Sequence, residues 1–407
     1  MALYVQGPDD ADDRLVSGPF LIVIAAALFS ALGFSSTLPL VARFVTNELG
    51  GGDLQVGLAI GVFSFSAVLA RPTIGRLGDT KGRRYLILGG TGLTAIVLAG
   101  HALADNYPML LIARLMMGAV QGGFFVGTVT LVNDLAPEHR RGEAASFFSI
   151  SIYGGMAFGP WIGEIAADRW GFDGGFLLAG GLMGVAAVIA WFLPPSIPVA
   201  EAIEAGAPKR KLLYGPAVWP GVIMAMGIIT FPALQGFMPK IMDERSLGEA
   251  GPIFAVYGLL VLVLRLAGRK LPDRLGTAKT ATIALVGASA GMAFMGLFVS
   301  RGGFFIGAAI VAIGGSLLYP ALMVAAVEGV PANERAQAMS TFTMFFELSG
   351  GIGAPVLGAV AWAAGTTVAA FFGAALFAAA GVPALWYWQR SPKAAPSVFQ
   401  VVPRPAA

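Results

Sequence analysis

Gly75 to Leu88 reads GRLGDTKGRRYLIL, and it places Arg76, Lys81, Arg83 and Arg84 with one aspartate, Asp79, between two long apolar runs. Cations gathered at the end of an apolar run mark the side of a bilayer on which a spanning segment emerges. The aspartate and the glycines Gly75, Gly78 and Gly82 are not needed for that purpose. A related stretch, GRKLPDRLG from Gly268 to Gly276, restates the pattern further along the chain. The two stretches together set the fold class, because they imply repeated membrane crossings joined by short charged loops.

Composition supports this. Of the 407 residues 57% are hydrophobic and 12% charged, about half the charge of a soluble domain, and mean hydropathy is +0.77. Cysteine is absent and only His101 and His139 are present, which excludes disulfide scaffolds, thiolate chemistry and histidine-rich metal centres. No cofactor is expected. The net charge of +3 is small and its cations fall in short loops, so nucleic acid is not a partner. The first apolar run, Leu15 to Ala42, follows acidic residues (Asp9, Asp10, Asp12, Asp13) and is too long for a leader, so it reads as a span.

Runs of spanning length recur at 18–42, 54–74, 85–104, 108–134, 144–166, 175–195, 217–239, 250–268, 279–300, 303–327, 339–363 and 367–389. The expected fold is therefore an all-α membrane protein of twelve transmembrane helices. With the N-terminus inside, 20 of the 26 basic residues lie on the cytoplasmic side and five outside, with Arg114 within a span. Both termini are thus expected in the cytoplasm. A polar break at 196–216 divides a first six-helix bundle, 18–195, from a second, 217–389. Residues 1–17 and 390–407 read as cytoplasmic tails.

The halves repeat. At an offset of 194 residues, Arg71 falls on Arg265, Leu77 on Leu271, Asp79 on Asp273 and Gly82 on Gly276. Asp134 falls on Glu328, Arg141 on Arg335, Phe148 on Phe342 and Gly159 on Gly353. Charged coincidences at one constant offset, in a chain so poor in charge, indicate parallel structural repeats of the kind found in secondary transporters.

Over essentially its whole length the chain resembles the major facilitator superfamily. Three of that family's motifs stand in order: Gly75, Leu77, Asp79, Gly82, Arg83 and Arg84 between the second and third spans; Arg114, Gly118, Gln121 and Gly122 on the fourth; and Gly155, Gly159, Pro160 and Gly163 on the fifth. The resemblance implies two pseudo-symmetric six-helix bundles around a central cavity that opens alternately to either side. It implies that Asp79 latches the cytoplasmic side against the eleventh helix, that Arg83 pairs with Asp134, and that Asp273, Glu328 and Arg335 form the matching set. It assigns Arg114 to proton coupling, and it reads the segment from Gly155 to Gly163 as a mark of export by proton antiport. Where the family has a final glycine in that segment this chain has Glu164, a further candidate acid.

Two charges stand out from the residues themselves. A cation within a span costs about 2.5–3.5 kcal/mol and faces a cavity or a partner; Arg114 has the neutral Ala308 as its repeat mate, so its charge belongs to one half only. Glu347, in TFTMFFELSGGIGAP, has Tyr153 as its mate, and a carboxyl in an apolar helix is a natural proton carrier. Cavity-lining positions on spans one, four, seven and ten are Phe29, Phe34, Ser35, Gln121, Phe124, Phe231, Gln235 and Tyr319. That set is apolar and aromatic, which favours amphipathic solutes over sugars.

Other chemistries lack support. GGTGLTAIVLAG near Gly89 has no P-loop lysine, and GASAG at Gly287–Gly291 lies inside a span without the strand–turn–helix context of a nucleophile elbow. The expected function is export of a drug, antibiotic or metabolite by proton antiport, by a monomer in the cell membrane, with the bilayer, a small molecule and protons as partners. Proton-coupled import of a metabolite is the alternative, and a membrane-embedded sensor or enzyme without transport is remote.

Overall fold

Apolar runs become helices here because a chain in hydrocarbon must satisfy every backbone group within its own segment. The computed structural model describes residues 15–137, 140–194, 213–268, 274–331 and 334–390, and among them every regular element is helical. The helices are α1 (Gly18–Asn47), α2 (Asp53–Lys81), α3 (Arg83–Gly100), α4 (Tyr107–Leu135), α5 (Arg141–Trp191), α6 (Gly215–Ile228), α7 (Thr230–Glu244), α8 (Gly251–Ala267), α9 (Thr277–Leu297), α10 (Arg301–Val327), α11 (Arg335–Gly351), α12 (Gly353–Ala364) and α13 (Ala369–Gln389). The expected tails and most of the linker lie outside the described residues.

Ten helical stretches among the described residues are long and apolar enough to cross a membrane. One of them, α5, holds two crossings, and the shorter α8 supplies a twelfth. The expected polar gap between spans five and six is a single residue, Gly171, at φ 72° and ψ 176°. Spans seven and eleven, expected as single helices, are each broken, into α6 and α7 at Ile229 and into α11 and α12 at Ile352. A proline sits three residues beyond each break. Pro232 has no N–H for the carbonyl of Ile228, and Pro355 none for that of Gly351, so each ladder is interrupted where the residue sequence removes its donor.

The 194-residue repeat is written into the backbone. Gly82 and Gly276 precede α3 and α9 at φ 86° and 81°. Asn106 and Ser300 cap α4 and α10, each side chain accepting from the backbone N–H three residues on, Met109 at 3.0 Å and Gly303 at 3.1 Å. Gly171 and Gly365 turn the chain at φ 72° and 65°. Positive φ excludes most side chains and an N-cap needs a short acceptor, so these are the positions at which a duplicated chain is least free to diverge.

The two halves meet along α5 with α8, α2 with α11 and α12, and α1 with α7. Their cores differ along the depth of the molecule. Toward the end carrying the basic loops each half keeps its own: Phe20, Ile87, Phe124 and Val132 in the first, Ile223, Leu318, Phe342 and Trp388 in the second. At the far end one core runs through both halves, joining Phe44 and Ile60 to Phe237, Ile241, Phe254 and Leu357. Among the described residues the far end is therefore sealed by shared apolar packing, and the basic-loop end is not.

Close backbone approach makes this seal possible. A Cβ on Gly57 of α2 would strike the carbonyl oxygen of Ala354, and one on its repeat mate Gly251 of α8 would lie 2.5 Å from the Cα of Trp161. Small residues at such crossings let helices pack without lipid between them. Along α1 the same role falls to Gly155, Gly159 and Gly163: a Cβ on Gly159 would lie 2.8 Å from both Leu32 O and Ser35 Cβ, and one on Gly163 would collide with Ser36 O. Gly163→Ala should therefore cost about 1–3 kcal/mol by overpacking, read as a lower melting temperature in detergent, whereas Gly181→Ala, where a Cβ meets nothing within 4 Å, should leave it unchanged.

Candidate functional site

Polar side chains that bridge the halves fall into two groups, one at each end. The far-end group is built on the last turns of α1 and α7. The Arg43 guanidinium donates to Asp243 at 2.8 Å, with Asp168 at 3.5 Å and Glu164 at 4.0 Å. Lys240 donates to Asp53 at 2.5 Å and to Thr367 at 2.9 Å, and pairs with Glu244 at 3.1 Å. Two cations thus hold five carboxylates from α2, α5 and α7 around a cavity of about 340 Å³, lined by Arg43, Thr46, Asn47, Lys240, Asp243 and Glu244. Apart from Glu164, which ends the fifth-span motif, none of these residues stands in a motif, and most of the pairs join residues more than 100 positions apart. The other local signal is the i, i+4 pair Lys240 and Glu244.

Glu164 belongs to this end but reaches further. Its side chain is 1% exposed, and its two oxygens accept from the backbone N–H groups of Ala250, at 3.1 Å, and Gly251. Those are free donors of the first turn of α8, in the opposite half. The carboxylate sits where the helix presents partial positive charge. Its repeat mate, Gly358, leaves room for the backbone of Asp53 instead. Glu164→Gln keeps the shape but replaces one of two acceptor oxygens with a donor facing a donor. It should cost about 1–3 kcal/mol, measured by thermal unfolding in detergent.

Toward the basic-loop end the halves are also bridged among the described residues. Arg71 of α2 donates to Glu347 at 3.3 Å and to Thr343 at 2.9 Å, both on α11. Both members of the ion pair are about a quarter exposed. Their repeat mates also meet: the guanidinium of Arg265 on α8 stands 4.8 Å over the ring of Tyr153 on α5. The two contacts are one symmetric clamp, answered by a carboxylate on one side and by an aromatic face on the other.

Arg114 is 4% exposed on α4. Its Nε donates to Ala59 O at 2.9 Å, a terminal nitrogen donates to Met117 Sδ at 3.6 Å, and the guanidinium lies 4.9 Å over Phe63, so these partners all lie within its own half. Phe34 packs on the same ring, 5.4 Å away. Arg83 is ion-paired with Asp134. Arg335 is exposed and donates to Val330 O at 3.2 Å, and Glu328 closes α10. Asp273 lies outside the described residues, and so do the surroundings of Gly75 and of the Asp79 side chain.

The cavity positions divide. Phe231 stacks on Tyr257 at 6.4 Å, Gln235 is 8% exposed on α7, and Tyr319 packs on Phe342 at 5.4 Å. Gln121 buries its Oε1 without a hydrogen bond. Phe29 is half-buried on α1. Phe124 does not face the partner half: it is 2% exposed in the first half's own core, drawn toward α3 by Gly90, where a Cβ would lie 2.9 Å from its Cα. Ser35 is likewise buried against Gly159. Residue location on a span says little about which face turns inward, and small residues on the neighbouring helix decide it.

Comparison with known sequences and structures follows the same lines. The profile of the Major Facilitator Superfamily matches residues 23–302 and, in a second match, 233–403. An uncharacterised MFS-type transporter of Salmonella typhimurium is 29% identical over 349 residues, covering 83% of this chain and 88% of its own. Another from Pseudomonas aeruginosa is 26% identical over 377 residues, covering 89% and 92%. Among solved structures, a point mutant of the nucleoside transporter NupG superposes with a TM-score of 0.76 at 14% identity, over 91% of this chain and 99% of that one. A point mutant of the peptide transporter POT, in complex with alafosfalin, gives 0.72 at 16% identity, over 89% and 93%.

Proposed function

Since the chain belongs to the Major Facilitator Superfamily and is a multi-pass membrane transporter, we propose that it exports a small organic molecule in exchange for protons. The observation that carries this reading is the ion pair of Arg71 and Glu347. It joins the two halves between a second and an eleventh span, and one of its members is a carboxyl, a group able to carry a proton. With Glu347 ionised, Arg71 ties α2 to α11. With Glu347 protonated, the charge that holds the tie is gone. A proton then biases the balance between two states through its different affinity for each, the only way a ligand shifts such a balance.

In this reading the monomer lies in the cell membrane with both termini in the cytoplasm. Bundles 18–195 and 217–389 rock about the site, and the sealed far end faces outward. The far-end network of Arg43 and Lys240 then closes the outer gate, and Asp79 and Asp273 close the inner one in the alternate state. Export is supported by the resemblance of the segment Gly155, Gly159, Pro160 and Gly163 to the family's exporter motif, whose glycines pack without clearance on α1. Arg114, held by Ala59 O at membrane depth, and Glu164 are the further groups placed in the proton path.

The test is proton movement in inverted vesicles carrying an imposed pH gradient, challenged with a panel of amphipathic anions, cations and neutral drugs. Collapse of the gradient by any of them, dependent on the protein, supports exchange. Solute accumulation that runs with the proton, in the same vesicles, would put import in its place.

A further inference from the structure

Arg71 has a carboxylate; Arg265 has none. Among the described residues the Arg265 guanidinium makes no hydrogen bond and no ion pair, its Nε is buried without a partner, and its one neighbour of note is the Tyr153 ring. A guanidinium carries five donors and a permanent charge, and burying part of it without an acceptor is costly. Tyr257, 6% exposed, lies two turns before Arg265 on the same helix, and Tyr319 lies on α10, which packs against that helix. Phe231 of α7 stacks on Tyr257 and supplies an apolar wall. Gly315 allows this packing, because a Cβ there would lie 2.6 Å from the Tyr257 hydroxyl.

Four helices from the two halves, α5, α7, α8 and α10, thus bring one uncompensated cation and three phenols to one place beside an aromatic face. The set is rich in donors and contains no carboxylate. Arg71, the other described cation within reach of Tyr319, is neutralised by Glu347. Arginine with tyrosine hydroxyls matches a planar, acceptor-rich head group, and a stacked Phe231 and Tyr257 match a ring attached to it.

We propose that Arg265, Tyr153, Tyr257 and Tyr319 form the head-group site of the transported solute, and that this solute is an aromatic or amphipathic organic anion, held by its carboxylate or an equivalent acceptor group. The proposal rests on the reading of the chain as a carrier of small organic molecules, and it adds the charge class. Arg265 is the residue that sets this class. An uncharged analogue leaves the guanidinium unanswered, and a cation is repelled by it.

The test is equilibrium binding to the purified full chain in detergent, by calorimetric titration, with benzoate, 2-naphthoate and indole-3-acetate and with the three corresponding amides. At least one carboxylate should bind about tenfold or more tightly than its amide, since a charge-assisted hydrogen bond is replaced by a neutral one. Arg265→Gln should weaken that carboxylate by about tenfold or more and Tyr319→Phe by about fivefold, and each should weaken the amide by less. Arg265→Lys, which keeps the charge and loses the fork, should fall between wild type and Arg265→Gln. The proposal is overturned if no carboxylate binds, if carboxylate and amide bind alike, or if a folded Arg265→Lys or Tyr319→Phe protein binds the carboxylate as wild type does while Arg265→Gln does too. Binding without a gradient is blind to direction and to protons. Its failure therefore removes the anion and leaves proton exchange standing, whereas failure of the vesicle assay removes exchange and leaves the anion site.

Discussion

Glu347→Gln should reduce substrate-driven proton release in inverted vesicles to the level of vesicles without the protein. The substitution is nearly isosteric, and Arg71 keeps its hydrogen bond to Thr343 at 2.9 Å, so the contact between α2 and α11 survives in outline. What disappears is the group that gains and loses a proton. Solute binding should persist, because in this reading the solute is held by Arg265 and not by Glu347. Proton release equal to that of wild type, in a variant that still binds solute, would exclude Glu347 from coupling and turn attention to Glu164.

The second large effect is expected at the far end. Lys240→Ala leaves Asp53 and Glu244 without the cation that separates them, in a site where the lysine is 9% and Asp53 13% exposed. Removing one partner of a buried pair costs about 3–5 kcal/mol, and taking about 3 after allowance for partial exposure shifts the closed-to-open balance by roughly a hundredfold. The absence of cysteine from the chain gives a direct measurement. A single Gln235→Cys, 8% exposed below the seal, should react slowly with a charged thiol reagent added on the far side in an otherwise wild-type chain. In the Lys240→Ala background the reaction should be faster by about tenfold or more, a conservative share of that shift. An unchanged rate would show that apolar packing of Phe44, Phe237 and Ile241, rather than charge, keeps this end shut.

Crossings were legible from sequence because hydrocarbon imposes one rule on every segment, and spans such as 18–42 and 303–327 obey it without exception. The internal repeat was legible for a related reason. Charges are scarce, so Arg71 over Arg265 and Asp134 over Glu328 stand out against a background of alanine and glycine. The breaks in spans seven and eleven were not read, although Pro232 and Pro355 carry the signal, because hydropathy does not register a missing donor. Nor was the orientation of Phe124, which depends on Gly90 of another helix. The far-end network was legible only at Glu164 and in the i, i+4 spacing of Lys240 and Glu244. Arg43 and Asp243 are 200 residues apart, and nothing in either neighbourhood announces the other.

Glu164 shows the limit most clearly. Its presence in place of glycine was plain in the sequence, but its role depends on two backbone N–H groups of α8 that carry no residue signature at all. A solvated carboxylate and a buried cap between halves are spelled the same way.

Because Gly82 and Gly276, Asn106 and Ser300, and Gly171 and Gly365 hold matching backbone shapes, each half serves as the other's control experiment. A residue that one half needs for its architecture ought to be needed at the same place in the other. Differences between mates are then what remains when architecture is subtracted. Among the candidate coupling groups the subtraction leaves Arg114 against Ala308, Glu164 against Gly358, and Glu347 against Tyr153. Exchanging these mates one pair at a time, rather than truncating them to alanine, would move a charge from one half to the other while holding the frame constant, and would ask of each whether the molecule cares which side carries it.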